Sequence, residues 1–541
     1  MKKLFIIFLA LSIFSCKNKD SKNDKSEKPE SEKKITKRDL SITPENSYSD
    51  LFFDSMVLEK FIVDNKLNDT ITRRIRSFYN ARNFQYAWFT SNGLTEQARG
   101  FWNLHNYHTT YTKDTTLNDK GLQRIMDDLS AEDELSISTT DKKVLNAELK
   151  MTEHLILYSL DDLLEKNIKR KEMERFIPAK RQDAMFLADS LLTKKHKDDK
   201  YFEDINKAYG LLKDKLKIYY DINKAGGWPH VEGTSKDFVP GKSSPNIASM
   251  KRHLFITGDL KLADTSQVFN DTLLNGIKSF QIRHGYEPTG KVSDNLLRDM
   301  NITALFRLKQ ILINMGRMQW MVQQTEGKLI TVNIPEYILH VTNEGKKVFD
   351  MAVVVGKEGH NTTIFTGDLN QVVFSPYWNV PSSIVRKEIL PGIEKNPNYL
   401  AEHNMEIVSN EGALPVVRQL PGPKNSLGKV KFLFPNSFDI YFHDTPAKSL
   451  FDKDKRAYSH GCIRLSDPKK MAMYLLSDDS KWTESAIDAA MNSGVEKFVK
   501  LKSPVPVLIT YYTSWVDENG LLHFADDVYD HDNLIAKMMF K

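Results

Sequence analysis

The sequence predicts a multidomain α+β chain: a helical amino-terminal region, a short helical module, and a β-rich carboxy-terminal domain interrupted by an insertion. Three observations predict it. The 541 residues exceed what one ordinary core organises. Apolar residues recur at helical spacing up to about residue 225, as in Leu155, Leu157, Leu160, Leu163 and Leu164, and again in Leu187, Leu191 and Leu192. From Lys328 the period drops to two, with Ile330, Val332 and Ile334 alternating and hairpin turns following. Hydrophobic residues are 40% and charged residues 27% of the chain, values of globular proteins that exclude a multi-span membrane protein. The net charge of +5 is concentrated at the start. Lys2 and Lys3 supply +2, and residues 17–40 carry nine basic and six acidic side chains, so residues 41–541 sum to zero. That excludes a basic nucleic-acid-binding face on the folded body. Two cysteines, Cys16 and Cys462, exclude a disulfide framework.

The first sixteen residues have the layout of a secretory signal: a basic start, then an apolar run from Leu4 to Phe14, too short to span a bilayer. The segment Ile13-Phe14-Ser15-Cys16 resembles the bacterial lipoprotein box. The resemblance implies that Cys16 is lipidated, becomes the new terminus and anchors the chain to a membrane. Residues 17–48 are dense in charge of both signs and poor in large apolar groups, so they read as a disordered tether. If Cys16 carries lipid, Cys462 is the remaining thiol of an exported protein, either buried and inert or kept for its chemistry.

Residues 49–230 read as helical, with Gly and Pro sparse and the aromatic string Phe78 to Phe89 forming core around a turn. A Gly-, Pro- and Ser-rich stretch at 226–245 marks a boundary. In the module at 240–302, Leu274, Ile277 and Phe280 share a helical face, and a second short helix starts near Ser293. Phe280-Gln281, His284-Gly285 and Gly290 match by position the small three-helix peptidoglycan-binding module, which this stretch resembles. A helical spacer that keeps only the fold is the alternative. His284 has no partner ligands nearby and is not read as a metal ligand.

The β-rich domain is expected over 326–515. Strands are read at Tyr337 to Val341, Val348 to Val355, Val372 to Phe374 and Phe438 to Phe442, and helices near 384–400, 468–477 and 484–493. Ser466 or Asp467 caps the second helix, with Pro468 at its first position. A hairpin around Glu518-Asn519-Gly520 is expected to close the domain, and 516–541 to form a hairpin and tail.

The chemistry concentrates in Tyr441-Phe442-His443-Asp444 and in Ser459-His460-Gly461-Cys462-Ile463-Arg464. In a strand over 438–443, Phe438, Ile440 and Phe442 share one face and Asp439, Tyr441 and His443 the other. Cys462 follows a glycine that permits unusual dihedrals, so backbone N–H groups near Gly461 and Cys462 can converge on an oxyanion. A thiol of ordinary pKa about 8.5 needs a base, and an imidazole supplies it. Arg464 adds a fixed positive charge suited to a carboxylate. Rival readings are a buried structural thiol and a zinc site from His443, His460 and Cys462. The latter lacks a fourth ligand at familiar spacing, and no metal is expected.

His443, fifteen intervening residues, then Ser459-His460-Gly461-Cys462-Ile463-Arg464 resembles the signature of L,D-transpeptidases, whose catalytic domain is called YkuD-like. The order of helical scaffold domain, peptidoglycan-binding-like module and β-rich domain is similar to the large Gram-negative type of that family. The string Phe374 to Pro381 also looks like that subgroup. The resemblance implies that 382–430 is a cap insertion, with Pro391-Gly392 and Pro421-Gly422-Pro423 as hinges or turns. It implies that Cys462 attacks the carbonyl joining the third stem residue to D-Ala, with His443 as base and then acid. D-Ala leaves, and the side-chain amine of a neighbouring stem resolves the thioester as a 3→3 cross-link. Gly461, His460 and Ser459 would support the turn, Arg464 would contact substrate, and Tyr441, Trp378 and Asn379 would wall the pocket. Peptidoglycan stem peptides are the expected partners, no cofactor is needed, and carbapenems should inhibit. A lipid-anchored chain in the cell envelope, facing the periplasm, is the expected location. Hydrolysis by the same fold (L,D-carboxypeptidase), attachment of wall proteins, and a catalytically silent wall-binding lipoprotein stand as alternatives.

Overall fold

The computed structural model describes residues 34–111, 115–131, 136–160, 177–193, 207–320 and 327–541. The expected signal segment, Cys16 and the tether up to residue 33 lie outside the described residues, as do Leu163 and Leu164. Among the described residues no helix is long and apolar enough to cross a membrane. Residues 34–48, expected to belong to the tether, are packed. Ile42 and Tyr48 are buried, the Asp39 N–H donates to Asn80 O at 2.9 Å, and the Asn83 amide donates to Ile42 O at 2.8 Å. Two large apolar side chains suffice to hold this charged stretch on the helices below it.

The first helices, Ser55–Asp64 and Asp69–Ala81, begin at Asp54 and Asn68, whose side chains accept the orphan N–H groups of the first turn. With Glu96–Tyr111, Lys120–Ala131 and Lys142–Leu160 they enclose a core of Phe78, Tyr79, Trp88 and Phe101. The aromatic string bends around the buried Glu148 carboxylate, which accepts the Ala87 and Trp88 N–H groups at 2.7 and 3.0 Å and the Tyr79 hydroxyl at 2.9 Å.

A second core is built from Ala184–Leu192, Lys207–Lys224, Ala304–Met318 and the terminal helix His531–Met539. The carboxy-terminal hairpin, Ser514–Val516 with Leu522–Phe524, belongs to this core through Leu522 and Phe524. It does not close the β-rich domain, contrary to the sequence expectation. Polar pairing explains the choice: the Asn314 amide donates to Thr513 Oγ1 at 2.7 Å and the Gln310 amide to Ala525 O at 3.1 Å.

The module has three helices, Pro245–Ile256, Asp271–Arg283 and Asp294–Met300, each opened by a capping Ser or Asn. Gln281 locks it by donating to Lys291 O at 2.8 Å and accepting the Gly290 N–H at 2.7 Å. Gly290 has φ +75°, and a Cβ there would stand 2.3 Å from Leu274. His284 stacks on Phe280 with ring centroids 3.8 Å apart, and burial pushes its pKa well down, so it is a packing residue.

The β-rich domain is a nine-stranded sheet among the described residues. Its strands in chain order are β1 Lys328–Asn333, β2 Ile338–Asn343, β3 Lys346–Gly356, β4 Thr366–Phe374, β5 Val430–Leu433, β6 Phe442–His443, β7 Ala457–Ser459, β8 Ile463–Leu465 and β9 Lys497–Thr510. The spatial order is β7-β3-β8-β6-β5-β4-β9-β1-β2, and β2 also pairs with β3, closing the sheet on itself. Helices Pro468–Leu475 and Glu484–Met491 cover the core, and Asp467, not Ser466, caps the first of them by accepting the Lys470 N–H at 3.0 Å. The expected strand over 438–443 is two residues long. Asp439 has φ +54°, and Asn436 holds 434–440 as a loop through four hydrogen bonds.

The insertion forms its own small unit. A helical run from Ser382 to Lys395, with a π-helical turn at Val385–Ile389, packs over strands Met405–Ser409 and Val416–Gln419 around Val380, Ile384, Val385, Ile389 and Val417. Pro391-Gly392 lies inside the helical run, just after the π-helical turn, and not in a hinge. Pro421-Gly422 is in a turn.

Arg317 clasps three parts of the chain. Its guanidinium meets Glu96 at 2.8 Å and Asp532 at 2.6 Å, all three largely buried. Burial alone would raise the Glu96 pKa, but Arg317 outweighs it and holds the carboxyl below its ordinary 4.5. Arg317→Met strands two buried carboxylates and is expected to cost about 3–5 kcal/mol, read as a lower urea midpoint. A depressed folded-state pKa makes this stability present above about pH 4.5 and lost as the pH falls below it. The substitution should therefore remove that part of the acid sensitivity.

Candidate active site

β6 and β8 run parallel with Phe442 opposite Ile463 and His443 opposite Arg464. The Ile463 N–H donates to Tyr441 O at 3.2 Å, so Tyr441 lies beside Cys462. Phe442 and Ile463 are fully buried in the core. Alternation then puts Tyr441, His443, Cys462 and Arg464 together on the other face. His443 lies two residues, roughly 6.6 Å, further along the pair than Cys462.

His443 is 4% exposed. Its Nδ1 is 2.5 Å from Asp444 O. A carbonyl only accepts, so Nδ1 carries the proton and Nε2 is the basic nitrogen. Asp444 is in turn pinned, its carboxylate accepting the Lys429 N–H at 2.8 Å and pairing with Lys448 at 2.8 Å. Gly428 makes room for it: a Cβ there would stand 2.3 Å from the carboxylate. Asp444 carried no role in the sequence reading, although its place directly after the histidine was the available signal.

Cys462 is partly exposed, and its thiol points to Asp439 O at 3.5 Å. Among the described residues no hydrogen bond joins it to His443. Tyr441 connects the two: its hydroxyl and N–H ease ionisation of the thiol, and its ring lies 5.8 Å from the imidazole. Burial is the largest influence on both reacting groups. It pushes the Cys462 thiol up to about 11, against Tyr441 and Arg464. It pushes His443 down to about 3, with Arg464 adding to the shift. The resting pair is therefore neutral thiol and neutral imidazole.

The turn before Cys462 is buckled from two sides. Ser459 Oγ donates to Cys462 O at 2.5 Å and accepts the Gly461 N–H at 3.2 Å. Gly461 has φ +109°, a conformation that favours glycine. Its N–H is thus already used, and the Cys462 N–H, which has no protein acceptor among the described residues, is the donor left for an oxyanion. From the other side the Thr362 hydroxyl donates to Gly461 O at 2.7 Å and accepts the Gly356 N–H at 2.9 Å. Tyr529 braces that loop by donating to Gly356 O at 2.7 Å and accepting the Thr362 N–H at 3.2 Å. No sequence motif announced Thr362 or Tyr529, since both act across more than ninety residues.

Arg464 is partly buried with its Nε unpaired. His460 lies 3.7 Å from Glu388 of the insertion's π-helical turn, so the insertion reaches the catalytic turn. Trp378 and Asn379 do not join the cluster. They pair with Gln419 and Arg418, Trp378 packing on the insertion's core and Asn379 exposed. They stand in the sheet of the insertion, the unit that reaches His460 through Glu388. Among the described residues no cluster of His, Cys, Asp and Glu is arranged to hold a metal ion.

Residues 327–505 match the L,D-transpeptidase catalytic domain (YkuD) family, and residues 73–216 match a scaffold domain family. A putative L,D-transpeptidase of Haemophilus influenzae is 34% identical over 222 residues, covering 38% of this chain and 45% of the relative. The chain thus spans under half the length of that curated relative. Among solved structures, an L,D-transpeptidase from Stackebrandtia nassauensis is 14% identical with a TM-score of 0.22, over 51% of this chain and 97% of that one. One from Mycobacterium smegmatis is 16% identical with a TM-score of 0.20, over 34% and 58%.

A thiol held protonated up to about pH 11 has a definite signature. Alkylation of Cys462 by iodoacetamide should rise about tenfold per pH unit between pH 7 and 9. A plateau beginning near pH 6 would instead reveal a preformed thiolate–imidazolium pair.

Proposed function

We propose that this chain, built on an L,D-transpeptidase catalytic domain over residues 327–505, transfers the acyl group of a peptidoglycan stem peptide through Cys462. The reading is carried by the shared face of Tyr441, His443, Cys462 and Arg464, combined with a histidine whose basic nitrogen is Nε2.

The thiol turns from Asp439 O toward Nε2, a rearrangement common between resting and reacting geometries. Sγ attacks the carbonyl between the third stem residue and D-Ala as Nε2 takes the thiol proton. The Cys462 N–H receives the oxyanion, a contact worth about 3–4 kcal/mol in such sites. The imidazolium returns its proton to the departing amine, and D-Ala leaves. The side-chain amine of a second stem then attacks the thioester, gives up its proton to Nε2, and frees the thiol with a 3→3 link formed. Arg464 supplies an unpaired cation for a substrate carboxylate on the same face. The insertion, touching the turn through Glu388 and His460, acts as a cap over the bound stems.

Purified chain given disaccharide tetrapeptides is expected to yield cross-linked dimers and free D-Ala, detected by mass spectrometry, and Cys462→Ala to yield neither. Tripeptide and D-Ala without dimers, at ample acceptor, would assign hydrolysis instead. An imipenem adduct on the wild type and none on Cys462→Ala would exclude a silent wall-binding protein.

The proposal includes a lipid on Cys16, motivated by the lipoprotein-box resemblance at Ile13 to Cys16. Expressed in a bacterial host, the chain should fractionate with membranes and Cys16→Ser should not. Equal membrane recovery of both would remove the anchor from the account.

A further inference from the structure

Between the helices Glu96–Tyr111 and Lys120–Ala131 and the catalytic segment 435–438 lies a cleft of about 310 Å³, within the size range of small-ligand pockets. Its lining is unusual in kind. Nine of its sixteen residues carry uncharged amides or hydroxyls, and only Arg99 and Asp127 bear charge. A nucleic acid would call for a row of cations. An apolar anchor would call for an apolar floor.

The lining groups divide into those already used and those left over. Asn436 spends its amide on the 434–440 loop, and the Thr109 and Thr110 hydroxyls bond Asn106 O. The Asn103 amide and the Ser437 hydroxyl, on opposite walls, have no protein partner among the described residues. Trp102 lines the cleft with its indole fixed by stacking on His105, ring centroids 4.7 Å apart and 11° from parallel. A free amide on one wall and a free hydroxyl on the other suit a neutral ligand rich in hydroxyls and amides.

The cleft lies one residue along the chain from a contact of the Cys462 sulfur. Phe438 lines it, and the carbonyl of the next residue, Asp439, is 3.5 Å from Cys462 Sγ. A ligand seated there would lie beside the segment that faces the thiol.

We infer that this interdomain cleft binds the saccharide strand to which the donor stem peptide is joined, so that the scaffold helices share in substrate recognition. The inference rests on the acyl-transfer reading for its link to catalysis, but sugar binding is testable without turnover. In calorimetry with the full chain, chitotetraose should bind saturably, and Asn103→Ala/Ser437→Ala should weaken it by about 3- to 30-fold. Ser437 is exposed and unpartnered, so Ser437→Ala alone is a variant without a folding cost, and it too should weaken binding. Absence of saturable binding, or equal binding by all variants, overturns the proposal. With donors, the wild type should show a several-fold lower KM for a disaccharide tetrapeptide than for the free tetrapeptide, and the double variant should lose that advantage. An advantage kept intact by the double variant also overturns it. Wild-type inactivity on both donors would defeat acyl transfer alone, and the chitotetraose result would still decide the cleft.

Discussion

The proposed chemistry of this chain depends on the parallel pairing of β6 with β8. Phe442 and Ile463 are held by the core, and with a side-chain period of two there is one outcome for their neighbours. Tyr441, His443, Cys462 and Arg464 all emerge on the opposite side. A slip of one residue would put a guanidinium, an imidazole and a thiol into the apolar interior, at several kcal/mol for the ionised group alone. The register of the reacting groups is thus enforced by apolar side chains that take no part in the reaction.

That same core sets the electrostatics. Burial opposes charge on either reacting group, so it moves the thiol and the imidazole in opposite directions and keeps both neutral. A resting ion pair would sit uncompensated in a poorly solvated place. In the proposed reaction, neutral partners leave charge separation to the moment when a carbonyl is present to receive it and the Cys462 N–H to share it. Tyr441, whose hydroxyl eases thiol ionisation, and Arg464, whose guanidinium does so at longer range, act in the same direction. Neither is strong enough to reverse burial.

How far the sequence was legible follows from the range of each interaction. The Ser459-to-Arg464 turn was readable because a glycine at φ +109° and a serine bridging three residues are local devices. The strands from Lys328 onward were readable by alternation. Alternation misled at 438–441, where Phe438 and Ile440 are apolar because a loop tied by Asn436 also packs on the core. The sheet that Trp378 and Asn379 join was not legible, because two residues of strand do not reveal their partner, which lies some forty residues away in the insertion. Residues 34–48 were assigned to the tether on composition, which counts charges and overlooks the anchoring value of Ile42 and Tyr48. Thr362 and Tyr529 needed three dimensions.

The carboxy-terminal stretch shows why the domains are not independent beads. Tyr529 braces the loop that buckles the Cys462 turn. Three residues on, Asp532 closes the Arg317 clasp on the scaffold helix that begins at Glu96. Earlier in the same stretch, Phe524 stacks near His284 of the module, ring centroids 5.8 Å apart, and Leu522 O lies 3.4 Å from Arg283. One short segment therefore contacts the catalytic turn, the scaffold and the module. A displacement of the scaffold would be felt at Gly461 through a chain of ion pairs and hydrogen bonds. If the cleft holds substrate as inferred, its recognition and the orientation of Cys462 share one mechanical support, which gives the helical half of the chain a physical reason to be attached to the β-rich half.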